Sequence, residues 1–90
     1  MKKGTLENGF VFEIEESNLD NMELIDTLCK IDGGDIQSLP KATEMLLGIE
    51  QKERLYNHLR TEKGNVPVSE FTKSLFEIIQ KAGNKDEGKK

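Results

Sequence analysis

Phe10, Phe12 and Ile14 fall on every second position, with Val11 and Glu13 between them. That spacing predicts a strand with one buried face. Asn8-Gly9 just before it is the signal of a two-residue type I′ turn, so GTLENGFVFEIE reads as a hairpin with Leu6 opposite Val11. A lone hairpin is marginal in water. The Phe10/Phe12/Ile14 face must therefore pack on helices or on another copy.

The period then changes from two to about three and a half. Ile25, Leu28, Cys29 and Ile31, with Met22 and Leu24, predict a buried helical stripe. Asp20 and Glu23 have the spacing of an N-cap and its N3 partner. Asp32-Gly33-Gly34-Asp35 ends this helix. A short helix is expected from Pro40 to Leu47, with the proline at its first turn and Gly48 as its stop. A third helix is expected from Ile49 to about Glu62, with Leu55, Tyr56 and Leu59 inward. Val66-Pro67-Val68 reads as extended. The last helix, Ser69 to Ala82, carries Phe71, Leu75, Ile78 and Ala82 on one line, with Phe76 and Ile79 beside it. After Gly83 the chain is polar and is expected to be disordered. The expected architecture is α+β: one domain over residues 1–82, a hairpin followed by about four short helices, then a tail over 83–90.

Composition narrows the class. Ninety residues with no Trp make a thin core. The net charge of −4 hides a polarity along the chain. Residues 4–35 hold nine acids against Lys30, while Lys2, Lys3, Lys81, Lys85, Lys89 and Lys90 sit near the ends. No folded segment presents the basic face that nucleic acid requires, so no nucleic-acid partner is expected. No apolar run approaches a membrane span, and the N-terminus lacks a signal-peptide core. These features predict a soluble intracellular protein with neither membrane nor disulfide.

Candidate chemistry is sparse. The run Tyr56-x-His58-x-Arg60 contains the chain's single Tyr and single His. Catalysis would need a base beside a nucleophile and a group to orient it. His58 instead has Arg54 and Glu62 as expected helical neighbours and reads as a surface residue. Cys29, placed on an apolar stripe, reads as a buried thiol. One Cys and one His do not make a zinc site, and no glycine-rich phosphate loop occurs. No catalytic, cofactor or metal residue is assigned. What remains is surface: Phe76, Ile79, Tyr56, Phe10 and Phe12 are the candidate partner or oligomer contacts.

Several segments carry a resemblance. They are Gly9 to Ile14 (GF-x-FEI), Leu19 to Leu24 (LDNMEL), Leu39 to Lys41, Leu46 to Lys52 (LLG-x-EQK), Leu55 to Arg60 (LY-x-HLR) and Gly64 to Val68 (G-x-VPV). Together they resemble small tail assembly chaperones of long-tailed bacteriophages and prophages of Gram-positive bacteria, over residues 4–82. The resemblance implies a non-enzymatic protein of the host bacterial cytoplasm. It would self-associate, keep the tape-measure protein soluble and recruit tail-tube protein. The alternatives are a structural connector or completion protein, and a regulatory binding module unrelated to phage. On the chaperone reading, Phe76→Ser weakens association more than folding, and His58→Ala leaves function intact.

Overall fold

The computed structural model describes residues 1–83. The architecture is α+β: strands β1 (Lys2–Thr5) and β2 (Val11–Ile14), then helices α1 (Glu16–Leu19), α2 (Met22–Asp32), α3 (Leu39–Leu47), α4 (Ile49–Leu59) and α5 (Val68–Gly83). A 3-10 turn at Ile36–Ser38 leads into α3. The polar tail expected at the C-terminus lies outside the described residues from 84 on, while Gly83 itself closes α5.

The hairpin forms, with a different turn from the expected one. Gly9 has a φ of 93°, and no non-glycine residue among those described has a positive φ, so Asn8 cannot occupy a type I′ turn. Leu6 N–H donates to Phe10 O at 2.8 Å and Gly9 N–H donates to Leu6 O at 2.9 Å. These bonds define a three-residue loop with a bulge at Gly9. The extra residue shifts the register by one: Thr5, not Leu6, lies opposite Val11. A one-residue shift exchanges the faces of a strand. Leu6 therefore joins the core at 3% exposure, and Val11 is left 49% exposed.

Phe10, Phe12 and Ile14 point into the core as the alternation requires. The helices of the same chain cover them, with α3 against β2 and α5 against β1. Gly4 lies opposite Phe12, and the ring covers it so closely that a Cβ there would sit 2.6 Å from Phe12 Cζ.

Residues before α2 form the short helix α1, which the sequence pattern did not suggest. Asp20 is spent as its C-cap, with its N–H donating to Ser17 O. Capping of α2 therefore falls to Asn21, whose Oδ1 accepts from Glu23 N–H at 3.0 Å. The buried face of α2 is Leu24, Thr27 and Ile31, with Leu28 half-buried. Cys29, expected to be buried, is exposed, as are Met22 and Ile25. At about 100° per residue, Cys29 lies about 140° around the helix from Leu24, well off the buried line. The helix closes with Asp35 N–H on Lys30 O and Gly34 N–H on Ile31 O, the paired bonds of a Schellman cap.

Helix α3 runs to Leu47 as expected, and Gly48 (φ 86°, ψ 165°) joins it to α4. Helix α4 ends at Leu59, three residues before the expected end, because Arg60 is extended with ψ 133°. A turn from Thr61 to Asn65 takes over, closed by Thr61 N–H on Asn65 O at 2.8 Å. Glu62 is thus off the helix and is not the neighbour of His58 that the pattern implied. In α5, Phe71, Leu75, Ile78 and Ala82 are all buried, as their spacing requires.

Candidate partner-binding site

The residues that looked catalytic have a structural task. Antiparallel pairing turns the backbone groups of alternate β2 residues outward, leaving an edge that must be satisfied or shielded. Helix α4 lies along that edge. The Gln51 side chain grips Glu13 at both ends: Oε1 accepts from Glu13 N–H at 2.9 Å, and Nε2 donates to Glu13 O at 2.6 Å. Arg54 donates to Val11 O at 3.1 Å, and its guanidinium lies 5.2 Å from the centre of the Phe10 ring. His58 Nε2 lies 2.9 Å from Asn8 O. A carbonyl only accepts, so this nitrogen carries the proton. Residues 51, 54 and 58 share one helix face, and their contacts step along the hairpin from Glu13 through Val11 to Asn8. The turn is held from the other side by α5, where Asn8 Nδ2 donates to Ser74 Oγ at 3.1 Å and Glu77 Oε2 accepts from Glu7 N–H at 3.0 Å. The sequence signal for this clamp was the spacing of Gln51, Arg54 and His58 beside a two-stranded sheet in need of a cover.

Tyr56 turns away from the hairpin. Its ring centre lies 5.3 Å from that of Phe71, and Lys52 Nζ sits 5.6 Å from the same ring centre. The Lys52 ammonium is also hydrogen-bonded to Glu44. That bond holds its pKa above the ordinary lysine value despite partial desolvation, with the Tyr56 and Glu53 charges acting in the same direction.

Tyr56, Leu39 and Phe71 form the floor of a groove of about 340 Å³. Ile36, Pro40, Val66 and Val68 complete its walls, and Arg60 contributes its charged wall residue. Ile36 is 56% exposed and Val68 is 52% exposed, so the apolar walls are open to solvent. Arg60 is held by Gly64 O at 2.9 Å and Asn57 Oδ1 at 3.2 Å. A concave, mostly apolar surface with one fixed cation suits the insertion of apolar side chains from a partner.

The five candidate contacts therefore separate. Tyr56 lines the groove, and Phe76 and Ile79 are half-buried against the core. Phe10 and Phe12 are withdrawn from the set: at 3% and 1% exposure they are consumed by the chain's own helices and cannot meet a partner. Sequence reasoning missed the groove walls Ile36, Val66 and Val68, because they come from segments that are not neighbours in sequence.

Among the described residues no group of His, Cys, Asp and Glu is placed to hold a metal ion. No described helix is long and apolar enough to cross a membrane. No protein-family model matches the chain, and neither curated proteins nor solved structures give a match.

Proposed function

We propose that this protein is a phage tail assembly chaperone, acting without catalysis in the host bacterial cytoplasm. It binds exposed apolar faces of the helical tape-measure protein, keeps them soluble and brings tail-tube subunits to them. The observation that best supports this reading is the open apolar groove built on Tyr56, with Ile36 and Val68 at its walls. A small domain that leaves such walls uncovered is suited to a helix-in-groove contact. The motif resemblance over residues 4–82 supplies the identity of the client. Self-association belongs to the same proposal, since many weak copies hold a long client through avidity. Phe76 and Ile79 are the candidate contacts for it.

The test is co-purification with a tape-measure fragment. Val68→Asp, at a half-exposed wall, is expected to lose the fragment while keeping its helical circular dichroism. Retention of the fragment by this variant would remove the groove from the contact. Failure of the unaltered protein to hold any fragment, or its presence as a component of finished virions, would end the chaperone reading.

A further inference from the structure

The outer face of α2 is the second uncovered apolar surface. Met22 is 73% exposed, Ile25 is 44% exposed, and Cys29 is exposed. Residues 22, 25 and 29 follow the i, i+3, i+7 spacing and so form one ridge along the helix. The ridge has a charged border. At about 100° per residue, Asp26 falls on one side of it and Asp32 on the other, each within about 40° of the nearest ridge residue. Glu23 adds a further carboxylate beyond Asp26, and Lys30 is the one cation of the helix.

That border decides what the ridge can meet. A second α2 laid against it would place carboxylates against carboxylates, an arrangement that opposes association. A helix with an apolar face bordered by Lys or Arg would cover the ridge and pair with Asp26, Asp32 and Glu23. We propose that the outer face of α2 docks an amphipathic helix whose apolar stripe is flanked by basic residues. This rests on the chaperone reading only in taking the partner to be a client helix. It adds a second contact surface, distinct from the Tyr56 groove, and a charge rule for the client.

The test uses the full chain and two synthetic helical peptides with the same apolar face, one flanked by lysines and one by glutamates. Titration calorimetry at low salt is expected to give the lysine peptide about tenfold tighter binding, a few-fold for each exposed charge pair, with the gap closing as salt rises. Ile25→Asp is expected to abolish lysine-peptide binding with no change in circular dichroism. The double variant Asp26→Lys with Asp32→Lys is expected to reverse the preference. Equal affinity for both peptides, binding of neither, or unchanged affinity in Ile25→Asp overturns the proposal. So does rapid Cys29–Cys29 crosslinking that Ile25→Asp prevents, which would mark the ridge as a contact between copies. The two readings fail separately. Tape-measure capture retained by Ile25→Asp overturns the ridge alone, whereas lysine-peptide binding without capture by the unaltered protein overturns the chaperone reading alone.

Discussion

Gln51 is a polar side chain doing the work of a third strand. Its amide supplies both an acceptor and a donor to Glu13, whose backbone would otherwise face outward unpaired. Gln51→Leu keeps the size and removes both bonds. Because the contact is exposed, water replaces part of it, and a stability loss of about 1 kcal/mol is expected. Amide exchange at Glu13 should accelerate with it; unchanged exchange there would show that the side chain is not the edge's partner. Gly4 makes the opposite kind of contribution, through what it lacks. A Cβ would meet the Phe12 ring at 2.6 Å. Gly4→Val should cost about 1–3 kcal/mol through displacement of the ring. A variant as stable as the parent in urea would mean that the ring has somewhere else to go. Alternation in the sequence placed Phe12 inward, but it contained no hint that its ring would rest on Gly4, since the register came from the bulge at Gly9.

The joint between α3 and α4 depends on Gly48. Its φ of 86° with ψ of 165° lies in a region open essentially to glycine alone. Gly48→Ala is expected to lower stability by about 1–3 kcal/mol, read as a lower melting temperature with the same helical content. Across the same joint Lys52 on α4 bonds Glu44 on α3. A lysine whose pKa is raised on folding contributes stability that is complete below its unfolded value, near 10.5, and is lost as pH climbs through the higher folded value. Stability should therefore fall on alkaline titration above about pH 10.5, and Glu44→Gln should flatten that fall. The Glu44 side chain is 42% exposed, so the contribution is screened and stays below about 1 kcal/mol. An identical alkaline profile in Glu44→Gln would show that the pair is not the cause. Of these elements, α5 and α3 could be read from the chain almost to the residue, because apolar spacing agreed in both and, for α3, the start at Pro40 and the stop at Gly48 agreed with it. Helix α2 was read in the right place, with Leu24, Leu28 and Ile31 rightly turned inward and Met22, Ile25 and Cys29 wrongly so. Its apolar residues outnumber one buried stripe, and only its packing against α3 selects Leu24, Thr27 and Ile31 for the inside.

Within the molecule as a whole, hairpin and helices share one core. Phe12, Ile14, Leu24, Leu46, Leu55, Leu75 and Ile78 are all at 1% exposure or less. No buried side-chain polar atom among the described residues lacks a partner. A two-stranded sheet with that much of its side-chain area given to the helices cannot melt alone. Thermal unfolding followed by far-ultraviolet circular dichroism and by the Phe12 ring resonances should coincide. A Phe12 transition well below the helical one would show that the hairpin is a separate unit. The same sharing explains which surfaces were legible. Local pattern determined the hairpin, the long final helix and the glycine stops, because each depends on residues close together in the chain. Tertiary packing chose among surfaces that the pattern left equivalent. It drew Phe10 and Phe12 inside, left Met22, Ile25 and Cys29 outside, and gathered Ile36, Tyr56 and Val68 into one groove. It also turned Gln51, Arg54 and His58 into a clamp on the hairpin. Those outcomes depend on which apolar faces the shared core has room to bury, since it is too small to bury them all.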